Sequence, residues 1–472
     1  MIRTIIVFLF LLCITVVVKA QDAANSRPNI IFILADDLGY GDIGCNGQQK
    51  ISTPNIDALA KSGIRFTQFY AGSTVCAPSR ASLMTGLHTG HTSVRGNKKM
   101  EPEGQAPLPE DAITIAMELK NVGYTTAAMG KWGLGFISTT GSPAHKGFDT
   151  FYGYNCQSLA HNYYPDHLWL NEKRIELPEN TSQPTTYAPD LVQKEALAFI
   201  NSQAKEKPFF LYLPYTLPHV DLTPPHDGLY DHYVKLFNEA PLQLTDKRNL
   251  NKQFVELNPH AAFAAMVARL DRYVGEVVAA VNRKGIARNT IIIFTSDNGP
   301  HREKGGDPEF FNSNGMFRGI KRDLYEGGIR VPLIISWEGN IKEGQQTDHM
   351  AAFWDFFPTF QQLAGIPVTQ QVDGISIMPI LQRKQQPVHD YLYWELHESG
   401  GRQAIRWKNW KAIKLNVSTE KANATELYDI SLDPEEQHNI AAKYPELVAQ
   451  LETMMKNAHH KNPEWPLFLS EK

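Results

Sequence analysis

The chain has 472 residues, and its 46 lysine and arginine residues against 50 aspartate and glutamate residues give a formal net charge of −4. Hydrophobic residues make up 42% of the sequence and charged residues 20%, which is the profile of a folded globular protein and excludes a disordered chain. Because the charge balance gives no extended basic field, we expect no nucleic-acid partner.

The N-terminus has the features of a secretory signal. Arg3 precedes an apolar run from Ile5 to Val18, and Val18-Lys19-Ala20 offers a small-residue cleavage site. The run is shorter than the ~20 residues that a membrane-spanning helix needs. We predict a signal peptide over residues 1–20, export to the periplasm or the medium, and no stable membrane span. A single membrane anchor is the alternative.

Five apolar runs predict strands buried on both faces of a sheet, and amphipathic segments between them predict helices. The strands are expected at Asn29–Leu34, Thr125–Met129, Phe209–Leu213, Thr290–Thr295 and Leu333–Trp337. The helices are expected from Thr53-Pro54, over Ala188–Lys205, and over about Ala261–Lys284 with Gly285 as the stop. This alternation predicts an α/β fold with a mixed, largely parallel central sheet sandwiched by helices.

The C-terminal part of the chain has a different pattern. Short aromatic-rich stretches predict strands at Tyr391–Leu396, Arg402–Trp407, Lys411–Leu415 and Glu426–Ile430, followed by a helix near Pro445–Asn457. They predict a smaller α+β subdomain with an antiparallel sheet over residues 386–472, packed on a main domain over residues 21–385. The boundary is expected in the polar segment Gln382–Pro387.

Two pairs of polar residues follow predicted strands. Asp36-Asp37 comes directly after the first strand, and Asp297-Asn298 follows the TIIIFTS strand. Ends of strands in an open α/β sheet converge on the crevice where ligands bind, so these oxygen-bearing side chains favour a hard divalent cation over zinc. A solvated loop at the strand end is the alternative. Gly39–Gly44 matches G-x-G-x-x-G, but carboxylates would stand where a pyrophosphate binds, and no helix follows directly.

A third segment, Ser73–Gly86, contains a cysteine near the expected start of a helix. Pro78 favours a helix that ends near Gly86, so Cys76 would lie at its N-terminus, where amide groups and the helix dipole favour an anion. The residues alone therefore indicate an activated thiol or an oxyanion site.

These segments together resemble the formylglycine-dependent sulfatase family (type I sulfatases of the alkaline phosphatase-like superfamily). Cys76-x-Pro78-Ser79-Arg80 followed by Thr85-Gly86 is similar to the family's signature. The other matching segments, in chain order, are Asp36-Asp37, Gly130-Lys131-Trp132, Pro218-His219, Asp297-Asn298, Lys321 with Tyr325–Pro332, and Leu427–Asp429 through Asp433-Pro434 and Asn439. The resemblance covers nearly the whole mature chain.

The resemblance implies a sulfuric ester hydrolase with specific site residues. Cys76 would be converted to formylglycine (3-oxoalanine) by a maturing enzyme, and its hydrate would attack the sulfate ester. One Ca²⁺ would be held by Asp36, Asp37, Cys76, Asp297 and Asn298. The catalytic side chains would be Arg80, Lys131, Lys321 and His219, of which His219, aided by Lys321, would protonate the leaving alcohol. A phosphoester hydrolase of the same superfamily and a catalytically silent glycan-binding homologue are the alternatives.

One residue departs from the family pattern. The family commonly has a histidine after G-K-W, where this chain has Gly133. The family histidine helps to take the proton that triggers expulsion of sulfate, and glycine has no side chain to do so. His145, His161 or a water is the candidate to replace it, although a structural role is the simpler interpretation of both histidines.

The cysteine count and the aromatic residues lead to two further expectations. Removal of Cys13 with the signal leaves Cys45, Cys76 and Cys156, an odd number, so at least one is not in a disulfide. Once Cys76 is modified, the other two are either paired or simply buried, and burial is favoured. Six aromatic side chains would suit contact with a sulfated glycan substrate, and packing in the core explains them equally well: Tyr152, Tyr154, Tyr163, Tyr164, Trp169 and Trp394. Asn180, Asn416 and Asn423 begin glycosylation sequons, which matter only in a eukaryotic route; a bacterial origin is favoured.

Overall fold

A computed structural model describes residues 27–101, 103–242, 256–367 and 371–471. The predicted signal peptide lies outside these residues. None of the helices in the described part of the chain is long and apolar enough to cross a bilayer.

The core of the main domain is a ten-stranded sheet. The strands of the chain are β1 (Asn29–Ala35), β2 (Ile64–Phe66), β3 (Phe69–Tyr70), β4 (Lys99–Met100), β5 (Gly104–Gln105), β6 (Thr125–Lys131), β7 (Thr150–Tyr154), β8 (His167–Leu170), β9 (Lys173–Glu176), β10 (Phe209–Pro214), β11 (Thr290–Ser296), β12 (Leu333–Ser336), β13 (Gln345–Thr347), β14 (Ala351–Ala352), β15 (Leu392–Leu396), β16 (Arg402–Trp407), β17 (Trp410–Leu415) and β18 (Glu426–Asp429). The order in the large sheet is β13-β2-β12-β11-β1-β10-β6-β7-β8-β9. Within the run β11-β1-β10-β6-β7 each neighbouring pair is parallel. Strand β12 pairs antiparallel with β11 and β2, and β8 pairs antiparallel with β7 and β9. The predicted mixed, largely parallel sheet is confirmed.

Helices cover both faces of this sheet. They are α1 (Pro54–Lys61), α2 (Cys76–Thr85), α3 (Ile115–Asn121), α4 (Ala188–Ser202), α5 (Gly228–Phe237), α6 (Pro259–Lys284), α7 (Pro308–Phe311), α8 (Glu326–Ile329), α9 (Phe356–Ala364), α10 (Met378–Leu381) and α11 (Pro445–Ala458). Along β1, Ile31 and Ile33 pack with the apolar faces of α4 and α6, whereas Ile30 and Phe32 pack with α2, α3 and α9. Both faces of β1 are therefore buried, which explains why its sequence is continuously apolar.

The predicted glycine stop of α6 and the helix that carries the cysteine motif both form. Gly285 caps α6 in the left-handed conformation, with φ of 70°, and Gly86 caps α2 in the same way, with φ of 72°. Helix α2 begins at Cys76 itself rather than at Pro78, because Val75 is already its N-cap. Cys76 is thus the first residue of the helix.

The C-terminal sheet has the predicted antiparallel order β15-β16-β17-β18. It is tied to the main domain by buried polar contacts. Trp394 Nε1 donates to the Ala71 carbonyl at 2.9 Å, Lys411 Nζ lies 2.8 Å from Glu326 Oε1, and Glu436 Oε2 accepts from the Glu326 amide at 2.6 Å. The position of the domain boundary at Gln382–Pro387, after α10, stays a prediction.

Cysteines, aromatic residues and one sequon are placed as follows. Cys45, Cys76 and Cys156 are free, so the pairing of Cys45 with Cys156 does not form; Cys156 is buried and Cys45 is half-buried. Five of the six aromatic candidates lie in the core, and Trp169, partly buried, donates to Glu103. Asn180 is buried, and its side-chain amide donates to the Pro165 and Thr186 carbonyls. This sequon therefore presents no side-chain amide at the surface for glycosylation.

Candidate active site

The two strand-end pairs meet because β1 and β11 are parallel neighbours in register. Ala35 lies opposite Ser296, so the residues that follow each strand come together. Asp37 N donates to Asp297 Oδ1 at 3.2 Å, and Asn298 Nδ2 donates to Asp37 Oδ1 at 2.6 Å. All four side chains of the two pairs are fully buried. Asp37 has φ of 64°, a conformation that is uncommon outside glycine and that turns the chain sharply at the end of β1.

Helix α2 delivers two predicted residues to this carboxylate cluster. Cys76 Sγ lies 3.3 Å from Asp36 Oδ1. Arg80, one turn further along α2, places Nη2 2.8 Å from Asp297 Oδ2 and 3.2 Å from Asp36 Oδ2. A second guanidinium nitrogen donates to the Lys131 carbonyl. Arg80 thus joins the ends of three strands and is fully buried.

Two lysines complete the charge balance of the cluster. Lys131 Nζ, from the last residue of β6, lies 2.6 Å from Asp36 Oδ2, and Lys321 Nζ lies 2.7 Å from Asp37 Oδ2. Burial alone would raise the pKa of the carboxyl groups, but the charges of Lys131 and Arg80 hold the pKa of Asp36 below its usual range. Asp297 differs, because burial and the neighbouring Asp36 charge raise its pKa to about 6.

His219 lies beside Lys321 with a defined tautomer. Its Nδ1 is 2.6 Å from the Val220 carbonyl, so this nitrogen carries the proton and donates it. Nε2 then presents a lone pair to Lys321 Nζ at 3.1 Å, and it lies 3.4 Å from Asp37 Oδ2. Burial and the Lys321 charge lower the pKa of His219 well below its ordinary value. In this arrangement Lys321 holds the proton of the pair.

The donor set fits a hard divalent cation. Ligand atoms of Asp36, Asp37, Cys76 and His219 all lie within 4.8 Å of one another. Asn298 Oδ1 is buried without a hydrogen-bond partner, while its Nδ2 faces Asp37. A half-turn of this amide about its last side-chain bond would direct its carboxamide oxygen toward Asp37. Carboxylate oxygens such as those of Asp36 and Asp37, together with a carboxamide oxygen such as that of Asn298, are ligands that Ca²⁺ and Mg²⁺ bind.

The two histidines proposed to replace a side chain at Gly133 have different positions. His145 is held in its own loop, with Nδ1 2.8 Å from Ser142 Oγ and 2.9 Å from the Thr139 carbonyl, so it does not join the cluster. The His161 ring packs edge-on against the His219 ring at 4.5 Å. Burial and the charges of the two site lysines lower its pKa to about 4, so His161 is neutral.

Sequence reasoning missed His301. Its ring lies 6.1 Å from the His219 ring, and its Nε2 is buried without a partner. Burial lowers the pKa of His301. The sequence signal was its position three residues after Asn298, on the loop that follows the Asp297-Asn298 pair.

A second group of metal-ligand types, His88, His91 and Asp373, is less suited to a metal. His88 Nδ1 accepts the Gly90 amide hydrogen at 3.1 Å, so the proton of this neutral ring lies on Nε2, the atom that faces Asp373. A ligating histidine instead donates through the nitrogen remote from the metal. The Asp373 carboxylate accepts from His91 Nδ1 at 2.9 Å, which describes a hydrogen-bonded cluster.

Comparison with known proteins agrees with this geometry. A family model described as Sulfatase matches residues 28–366, and one described as N-sulphoglucosamine sulphohydrolase, C-terminal, matches residues 314–461. Human steryl-sulfatase is 30% identical over 95% of this chain and 90% of that protein, and human arylsulfatase A is 30% identical over 92% and 88%.

Solved structures give the same result. The crystal structure of Ps i-CgsB in complex with k-i-k-neocarrahexaose matches with a TM-score of 0.77 and 30% identity, over 94% of this chain and 96% of that one. The expected alkaline phosphatase-like fold is therefore confirmed. The chain belongs to the sulfatase family and is a sulfuric ester hydrolase.

Proposed function

We propose that this enzyme hydrolyses sulfate monoesters on a sulfated carbohydrate, with formylglycine at position 76 and one bound Ca²⁺. The observation that carries the proposal is the position of Cys76, at the first turn of α2 and 3.3 Å from Asp36 Oδ1, inside a cluster of buried carboxylates and cations. The relative solved with k-i-k-neocarrahexaose supports a sulfated glycan as the substrate class.

Asp36, Asp37, Asp297 and Asn298, with the modified residue 76, would hold the calcium ion. Its charge would stabilise the negative oxygens of the sulfuryl group. Three cationic side chains already neutralise the three carboxylates of this cluster, so an added divalent ion makes the site net positive toward a monoanionic ester. Lys131 and Lys321 would bind the sulfuryl oxygens, while Arg80 would orient Asp36 and Asp297.

Formylglycine explains how the sulfuryl group is released. One hydroxyl of its hydrate would give its proton to a water and bond to sulfur as the S–O bond to the alcohol breaks. The second hydroxyl would then give its proton to a water, the C–O bond to the sulfuryl group would break to release sulfate and re-form the aldehyde, and a water would add to the aldehyde to restore the hydrate. A serine or thiolate would instead keep the sulfuryl group. Because Cys76 is only 1% exposed, the maturing enzyme would act before the chain closes over it.

His219 and Lys321 would form the proton-donating pair at the leaving-group side. Lys321 holds the proton in the resting site, and His219 Nε2 accepts its hydrogen bond at 3.1 Å. Protonation of the departing oxygen by this pair matters most when that oxygen is a basic sugar alkoxide.

The proposal includes export. Residues 1–20 would be removed as a signal peptide, and the enzyme would act in the periplasm or outside a bacterial cell on a polysaccharide that cannot enter the cytoplasm.

The experiment is a screen of sulfated oligosaccharides, including carrageenan, chondroitin and ulvan fragments, with released sulfate measured by ion chromatography. Cys76→Ala is the inactive control. We expect sulfate release from at least one glycan class and faster hydrolysis of an aryl sulfate than of the matching aryl phosphate. A preference for the phosphate would make the enzyme a phosphoester hydrolase, and no turnover of any ester by the matured protein would indicate a glycan-binding homologue.

A further inference from the structure

Two side-chain amides beside the Lys131–Gly133 segment have no hydrogen-bond partner. Gln157 is 9% exposed, and its Nε2 is buried and unpaired. Asn155, two residues earlier, is fully buried, and neither its Oδ1 nor its Nδ2 is paired. Buried amide groups are almost always hydrogen-bonded, so an unpaired donor of this kind indicates a ligand or an ordered water.

The backbone fixes the position of Gln157 relative to the site. Lys131 lies opposite Tyr154 in the parallel pair of β6 and β7, and Gly133 N donates to the Asn155 carbonyl at 3.0 Å. The loop that begins at Asn155 is therefore held against the loop that follows Lys131.

Gly133 leaves open the space that Gln157 occupies. Gly133 follows two residues after Lys131, whose Nζ lies 2.6 Å from Asp36 Oδ2, and its φ of 76° departs from the strand conformation. A Cβ atom on Gly133 would lie 2.6 Å from Gln157 Nε2. The Gln157 amide thus takes the place of a side chain at position 133, two residues after Lys131.

We infer that Gln157 contacts the substrate: its Nε2–H group donates a hydrogen bond to an oxygen of the sulfuryl group. This inference rests on the proposed function and adds a recognition residue to it. A carboxamide stays neutral at any working pH and has two N–H donors, so it contributes a donor to an anion without altering the balance between the lysines and the carboxylates. The pairing of Gly133 with Gln157 is a feature of this chain's own sequence.

The test measures binding of inorganic sulfate and turnover of 4-nitrophenyl sulfate by the matured enzyme and its variants. Gln157→Ala should weaken sulfate binding and kcat/KM by about 10- to 100-fold, the scale of one hydrogen bond to a charged group. Gln157→Glu keeps the shape but presents only acceptors, so its loss should be larger. Gln49→Glu is the matched control, because it makes the same charge change at an exposed position and should leave both quantities unaltered.

A double-mutant cycle supplies a second measurement. Gly133→Ala should push the Gln157 amide away and weaken sulfate binding, with an added cost from its φ of 76°. In the Gln157→Ala background only that backbone cost remains, so the effects of the two changes should not be additive.

Sulfate affinity and kcat/KM that stay unchanged in both Gln157 variants would overturn the inference, as would additive effects in the cycle. If the wild-type enzyme hydrolyses no sulfate ester, the proposed function fails. The sulfate-binding comparison would still report on Gln157 in that case, so the two failures are distinguishable.

Discussion

His219→Ala tests which group supplies the proton to the leaving alcohol. The side chain is 2% exposed and neutral, so its removal changes no charge in the cluster. It does remove the acceptor that holds Lys321 Nζ at 3.1 Å, and Lys321 is then left with Asp37 at 2.7 Å as its partner. The ammonium group is therefore expected to turn away from the departing oxygen.

The magnitude follows from the leaving group. General acid catalysis contributes about 10²–10⁴-fold, or about 2.7–5.4 kcal/mol at 1.36 kcal/mol for each factor of ten. A sugar alkoxide is strongly basic and needs this proton, so His219→Ala should lose about 10²–10⁴-fold in kcat/KM on a sugar sulfate. A nitrophenolate carries its own charge well, so the loss on 4-nitrophenyl sulfate should be far smaller.

The assay compares kcat/KM on both substrates for the wild type, His219→Ala and His145→Ala. His145 is the matched control, because its ring is bonded within the Thr139–Ser142 loop and outside the cluster. Equal losses on both substrates in His219→Ala would refute the reasoning. They would mean that His219 serves to bind sulfate or to position Lys321, which would then be the acid on its own.

Three further outcomes are expected. Mass spectrometry of the tryptic peptide that contains Cys76 should show the thiol replaced by an aldehyde or its hydrate; an intact thiol in fully active protein would contradict the proposed nucleophile. Asp297→Ala should lower calcium content, activity and stability. Stability falls because the change also removes the carboxylate that lies 2.8 Å from the buried Arg80, and breaking a buried ion pair costs about 3–5 kcal/mol. Metal analysis that finds undiminished stoichiometric calcium would remove Asp297 from the ligand set. Burial opposes the charged form of His389, yet the Asp355 carboxylate at 2.8 Å raises its pKa above 6.5. This pair therefore contributes stability that is fully present below about pH 6.5 and is lost as the pH rises through the raised pKa. Denaturant titrations between about pH 5 and 8 should show the free energy of unfolding falling with pH in the wild type and falling less steeply in His389→Ala. Equal pH dependence in the two proteins would exclude a contribution from this pair.

The strands and the site were predictable from sequence where local pattern and sheet geometry sufficed. Apolar runs gave the five central strands, and parallel strands place their ends at one edge, which brings Asp37 and Asn298 together although they are 261 residues apart. The edge strands β13 and β9 are only three and four residues long, which is too short for any periodicity to predict them.

Other features depend on contacts that no local pattern encodes. Gln157 becomes a candidate only when its amide is seen to lack a partner beside Gly133. His145 and His161 look equivalent in the sequence, yet one is bonded within its own loop and the other packs on His219. Most of the aromatic residues that the sequence offered as glycan-binding candidates pack in the core instead.

The ion pair between Lys411 and Glu326 of the main domain has a consequence for how the chain unfolds. Lys411 belongs to the C-terminal sheet, while its partner Glu326 lies on the segment that carries Lys321, and both are fully buried. Separating the two parts would break this buried ion pair and the 2.6 Å hydrogen bond from the Glu326 amide to Glu436 Oε2, an unfavourable step. The two sequence-defined parts should therefore melt in one calorimetric transition, and a chain cut near residue 385 should lose the active site together with the sheet. In practical terms, the C-terminal part cannot be exchanged between relatives as an independent module unless Glu326 and its surroundings are exchanged with it.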